Sequence, residues 1–172
     1  MTRRFFVNLA LSIAIGLPVG YLLRDGYART VYDPAHAMLS MFEERCLPML
    51  TGESADISGL IDVPMTIHHH EYVDPKSHLS LLTNKGACSI SDSFAPLDDA
   101  NVQTLVMQLR ERIPKLVGLP ESDDMAPVGN VAVGWMKGER LSPERWGVSM
   151  IQFGAGGLRL SLHLPPKAHP SP

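Results

Sequence analysis

One stretch, Ile67-His68-His69-His70-Glu71-Tyr72-Val73-Asp74-Pro75-Lys76-Ser77-His78, concentrates more ligand chemistry than any other part of the chain. Imidazole and carboxylate are donors that zinc, nickel and copper accept. On a strand over 67–73, His68 and His70 share a face, because alternate side chains point the same way. The Asp74-Pro75 turn can then bring His78 back toward them. Against a built site, three adjacent histidines on a strand cannot all face one ion. There is no HExxH, and no CxxC supplies a second pair of ligands. The sequence therefore predicts a solvated cluster that changes charge between about pH 5 and 7. His68, His70 and His78 are weak metal candidates, and no cofactor is expected.

The other chemistry-bearing stretches are poorer. Phe153-Gly154-Ala155-Gly156-Gly157-Leu158 resembles a phosphate loop only in its glycines. The segment after it alternates like a strand, whereas a phosphate loop should open a helix, so a turn between strands is expected. Ser89, Ser91 and Ser93 lie near Asp92, but no GxSxG elbow is present. No catalytic residue is named, and a hydrolase would need a Ser-His-Asp set assembled from distant positions. Trp135 and Trp146 alternate with Val133 and Val148, which predicts both indoles in the core.

Cys46 and Cys88 are the two cysteines of the chain. Cys46 follows Leu39 and Phe42 at helical spacing, and Cys88 alternates with Ile90, so both thiols are expected to point inward. In an oxidising compartment such a pair reads as a disulfide. It would close a loop of about 43 residues, worth on the order of 4 kcal/mol in the chain-entropy model.

The elements that must position these residues are legible in outline. Asp33-Pro34 starts a helix that stops near Pro48, with Ala35, Leu39, Phe42, Cys46 and Met49 on its apolar face. Residues 51–66 read as a loop with a turn of helix at Ser58–Ile61. Residues 78–83 and 87–92 form a hairpin around Asn84-Lys85-Gly86, with Gly86 expected to supply a positive φ. Residues 97–115 form the best-marked helix, with Asp98 as cap, Leu97 and Val102 as a hydrophobic staple, and Pro114 and Gly118 at its end. Its apolar stripe is Val102, Leu105, Val106, Leu109 and Ile113. Strands follow at 131–136, 146–153 and 158–165. In the last, Leu158, Leu160, Leu162 and Leu164 alternate with Arg159, Ser161 and His163, predicting one core face and one wet face. The expected fold is α+β: an antiparallel sheet of about five strands with two helices on one face, preceded by an N-terminal hydrophobic helix. The domain spans 29–164, and the Pro-rich residues 165–172 are an expected disordered tail.

The segment before the domain bears on location. Residues 5–23 carry no charge, and Asn8 and Ser12 are their only polar side chains apart from the phenol of Tyr21. As a helix they would be about 28 Å long, close to a bilayer core. Arg3 and Arg4 precede them, which would place the rest of the chain outside the cytoplasm. Gly26-Tyr27-Ala28 offers a signal-peptidase site, so 1–28 is either a signal peptide cleaved near Ala28 or an uncleaved anchor. The anchor reading is favoured by length and by Asn8, Ser12, Gly16 and Gly20. Their spacing of four lines one helix face, as in the packing of membrane helices.

Charge narrows the partners. The chain has 15 Lys and Arg against 18 Asp and Glu, a net charge of −3, and three of those arginines lie in the leader. A mildly acidic domain without a basic run argues against nucleic acid. The residues point to a non-enzymatic accessory or binding domain facing the periplasm, tethered in the inner membrane by residues 5–23, with a membrane or periplasmic protein as partner. The alternative is a soluble periplasmic metal-binding protein that uses His68, His70 and His78.

Overall fold

The computed structural model describes residues 32–66, 69–125, 129–153 and 157–166. The expected helix over 5–23, its Asn8/Ser12/Gly16/Gly20 stripe, the cleavage site and the tail from 167 lie outside the described residues.

Helix α1 (Pro34–Arg45) opens with proline, whose fixed φ suits the first helical position. It buries Ala35, Met38, Leu39, Met41 and Phe42, one stripe at helical spacing. A short 3-10 helix (Leu47–Thr51) continues from it and buries Met49. Cys46, at the junction, is bonded to Cys88, with the two Cα atoms 5.4 Å apart. Both cysteines are fully buried, as their spacing predicted.

Four strands follow: β1 (Ile61–Thr66), β2 (His69–Val73), β3 (Ser80–Thr83) and β4 (Ala87–Ser91). Then come helix α2 (Asp99–Val117) and strands β5 (Gly129–Lys137), β6 (Trp146–Phe153) and β7 (Leu158–His163). The sheet has seven strands, in the order β1-β2-β3-β4-β7-β6-β5, and every pairing is antiparallel.

The count of about five strands is therefore corrected to seven. The strand hidden from the sequence is β1, which occupies part of the expected loop over 51–66. Only a turn at Ser58-Gly59 stands where a helical turn was expected, and Ile61 already belongs to the strand. β1 was illegible because it is an edge strand carrying Pro64 and a register shift between Pro64 and Thr66. Proline weakens the strand signal, and its pairing with β2 overrides that weak local preference. The loop before β1 is held by Arg45, whose guanidinium donates to the carbonyls of Asp56 and Ser58 at 2.9 and 3.1 Å.

The β3–β4 hairpin forms as expected, but not through a positive φ at Gly86. The Asn84 side chain closes the turn instead, accepting from the Gly86 and Ala87 amides at 2.8 and 2.9 Å. Such side-chain mimicry of a backbone turn is a property of asparagine. Helix α2 matches its sequence signals. Asp98 accepts from the Asn101 amide at 2.8 Å, and the five stripe residues Val102 to Ile113 are all buried. The helix runs past Pro114 to Val117, and the Gly118 amide bonds the Pro114 carbonyl at 3.0 Å.

Both helices pack on the face carrying Cys88, Ile90, Val148, Met150, Trp135 and the β7 leucines, and all of these belong to one core. On β7 the period of two holds: Leu158, Leu160, Leu162 and Leu164 are buried, and Arg159 is exposed. Gly147 is placed where only glycine fits. Its φ is +135°, and a Cβ there would lie 2.1 Å from the Trp135 carbonyl oxygen.

The sequence gives no warning of the junction at Asp92. Its side chain is fully buried. One carboxylate oxygen accepts from the Leu97 amide at 2.8 Å, and the other from the Leu158 amide at 2.5 Å. The Asp92 amide donates to the Leu158 carbonyl at 3.2 Å. One residue thus joins the end of β4, the approach to α2 and the start of β7. Asp92→Asn keeps the shape but turns an NH2 group against one of the two donors. The expected loss is about 2–3 kcal/mol of stability, the scale of a buried donor left without its charged acceptor. Urea unfolding with the disulfide intact measures it, and an unchanged midpoint would contradict this role.

Candidate functional site

Three groupings carry polar or aromatic chemistry. The first is the histidine stretch. β2 begins at His69, and His68 lies outside the described residues. The pleat divides the remainder. Glu71 is turned to the face opposite the helices, where it is buried and accepts from the Ser80 hydroxyl at 2.5 Å. His70 is on the other face, exposed, with Nδ1 at 2.8 and 3.1 Å from the two carboxylate oxygens of Asp62 on β1. Its ring stacks on Tyr72 with centroids 6.4 Å apart. These contacts orient the imidazole and occupy its Nδ1.

His78 sits in the turn between β2 and β3 with φ +58°. That turn is organised by Asp74, which accepts from the Ser77 amide at 3.0 Å and the Ser77 hydroxyl at 2.5 Å. Burial pushes the Asp74 carboxyl upward, but the bonds from Ser77 and Lys76 outweigh it, and the group sits below its ordinary value. Among the described residues, no group of three or more His, Cys, Asp or Glu side chains gathers where it could hold a metal ion.

The second grouping, which sequence reasoning missed, is the sheet face opposite the helices. Ser89, Ser161 and Ser149 are direct neighbours across β4, β7 and β6, and Gly134 follows on β5. Ser80 and Ser91 form the adjacent row. The hydroxyls bond one another: Ser89 to Ser161 at 2.9 Å and Ser91 to Ser93 at 2.6 Å. The Met125 side chain lies over Gly134, where a Cβ would meet its sulfur at 2.6 Å. The expectation that Arg159, Ser161 and His163 all face solvent is thus corrected. Arg159 is exposed, with its guanidinium 5.9 Å from the Phe153 ring centroid. Ser161 is only 7% exposed and His163 is half-buried.

His163 Nε2 is 3.4 Å from the Ser149 hydroxyl, the one serine–histidine contact on this face among the described residues. No aspartate bond to it is seen among the described residues. Asp92 is committed to two backbone amides, and Asp124 to a two-pronged pair with Arg145 at 2.5 and 2.6 Å. Burial first, and the Arg145 charge second, hold the His163 imidazole below its ordinary value.

The third grouping is a cleft of about 780 Å³ at one end of the sheet, lined by Trp146, Lys137, Glu139, Ser142, Glu144, Pro165 and Pro166 among others. The prediction that both tryptophans are core residues fails here. Trp135 is fully buried, but Trp146 is half-buried and lines the cleft. Trp146 has the parity of Val148 and Met150, yet it is the first residue of β6, at the rim of the sheet. Alternation alone could not separate the rim from the core.

No helix among the described residues is long and apolar enough to cross a membrane. Compared with protein-family models, curated proteins and solved structures, the chain matches none of them.

The lowered His163 value has a consequence for stability. The unfolded chain binds the proton near pH 6.5, before the folded one does. This residue's contribution is therefore complete above pH 6.5 and is lost as pH falls toward the folded-state value. His163→Gln should flatten the fall in urea midpoint as the pH drops below about 6.5, relative to the parent. Parallel profiles for the two proteins would contradict the assignment.

Proposed function

We propose that this chain is a non-enzymatic accessory domain, exported and held at the outer face of the inner membrane by residues 5–23, where it binds a protein partner. The observation that carries the export half is the buried Cys46–Cys88 bond joining α1 to β4. A structural disulfide of this kind belongs to an oxidising compartment. Arg3, Arg4 and the uncharged run over 5–23 support the same placement. The partner half is supported by Asn8, Ser12, Gly16 and Gly20, whose spacing suits packing against another membrane helix.

The test is the N-terminus of the protein recovered from cells. The expected chain retains residues 5–23, sediments with membranes, resists carbonate extraction and carries no thiol that can be alkylated without reduction. Gly16→Leu should weaken co-purification of the partner and leave the unfolding midpoint of the outer domain unchanged. A chain beginning at Arg29 in the soluble periplasmic fraction would end the anchored reading.

A second reading, a soluble metal-binding protein, is favoured by one contact. A carboxylate on Nδ1 of an imidazole is the support that metal-binding histidines use, and Asp62 supplies it to His70. Isothermal titration with zinc, copper and nickel separates the two. We expect no stoichiometric tight binding. One-to-one submicromolar binding that is lost in the His68→Ala/His70→Ala protein would promote the metal reading.

A further inference from the structure

We infer that the cleft at Trp146 is a binding site for an arginine or lysine side chain presented by an extended peptide segment. This deepens the partner-binding reading above and rests on it for the source of the peptide. Ligand pockets commonly enclose about 300–1,000 Å³, and the cleft, at about 780 Å³, falls inside that range.

Its lining has two parts. Trp146, Pro165 and Pro166 offer an apolar surface, on which the aliphatic stem of a basic residue can lie and a guanidinium can stack. Glu139 and Glu144 supply negative charge against the single Lys137. Among the described residues none of these three charges is in an ion pair. Arg140, on the same loop, acts on Asp124. The lining therefore carries two carboxylates against one ammonium, and a cation of the ligand complements the excess.

The loop that carries them is fixed before any ligand arrives. Gly138 turns the chain at φ +104°, where a Cβ would lie 3.2 Å from the Arg145 Cα. The Ser142 amide bonds the Glu139 carbonyl at 3.0 Å, and the Ser142 hydroxyl accepts from the Glu144 amide at 3.2 Å. Arg145, at the loop's end, is clamped by Asp124. Little ordering is left to be done on binding, which is what lets a small site hold a ligand.

The experiment uses the full chain in mild detergent and follows the indole N–H resonances of its two tryptophans by NMR. Trp146→Phe identifies which resonance is which. The probes are acetyl-Gly-Arg-Gly-amide and its neutral counterpart acetyl-Gly-Gln-Gly-amide. The arginine probe should shift the Trp146 resonance saturably and leave Trp135 in place. Glu139→Gln/Glu144→Gln should weaken that binding about tenfold with an unchanged unfolding midpoint. The inference is overturned by a Trp146 resonance that ignores millimolar probe, by equal response to the glutamine probe, or by unchanged binding in the double variant. The measurement does not depend on the leader. A chain found to begin at Arg29 removes the membrane part of the reading above and leaves this result standing, whereas an unresponsive Trp146 removes this inference alone.

Discussion

The buried carboxylate of Asp92 is the constraint on which the rest of the fold depends. The sheet is not a simple meander, because β4 lies beside β7 and not beside the next strand in sequence. The Asp92–Leu158 bond at the end of that pairing joins residues 66 apart. A closure of that length costs entropy before any contact repays it. The two amides held by Asp92 belong to the segments that must arrive together: the approach to α2 and the first residue of β7. Once Leu158 is fixed there, the register of β7 against β4 and β6 follows, and with it the burial of Leu158, Leu160 and Leu162. The disulfide acts on the same region from the other side, tying the end of α1 to Cys88 in the middle of β4.

The parts of this architecture that local chemistry specifies were legible in the sequence. α2 announced itself by Asp98, its hydrophobic staple and an unbroken stripe. β7 did so by four leucines at a period of two, and the cysteine pair by the inward side of a helix and of a strand. The parts set by pairing partners were not legible. β1 has a proline and a bulge where a strand signal should be, and it is a strand because β2 lies beside it. Nothing local says that β4 should meet β7. Gly86 looked like the residue that makes the hairpin turn, but Asn84 makes it with its side chain, an alternative that a sequence pattern does not rank. For the candidate sites the limit was the same. The serine face needs the register of four strands, and the Trp146 cleft needs two segments, 137–146 and 165–166, brought together.

The two sheet edges are protected by different means. An unpaired edge invites another strand, and proteins blunt it with proline, bulges or a covering loop. β5 is covered: the Ser122 amide donates to the Gly134 carbonyl at 2.7 Å, and its hydroxyl accepts from the Met136 amide at 2.8 Å. β1 has Pro64, which offers no N–H, and the irregular register beside it. Ile61 and Met65 are exposed on that strand, at 55% and 59%. Proline and bulge therefore stand where apolar exposure would otherwise make strand addition easy. Recognition by adding a strand to this sheet is thus opposed at both ends.

What remains for recognition is side-chain chemistry, and the fold sorts it unevenly. The histidine stretch looks dense in one dimension, but the pleat sends Glu71 into the sheet face opposite His70, so linear density does not become a cluster. The serine face has the reverse history: its residues are scattered over four strands and meet only through register. Yet its hydroxyls are largely spent on one another and on Glu71 and His163, and Ser149 and Ser161 are nearly covered. A face whose donors and acceptors are already paired has little left to offer a ligand. The Trp146 cleft differs in this respect. Among the described residues its carboxylates are in no ion pair, and its loop is held by its own hydrogen bonds. Its indole has moved from the core, where alternation would place it, to a position that solvent reaches. Unspent polar groups held on a rigid loop beside an aromatic surface are what a binding site requires, and of the three groupings only the cleft combines them.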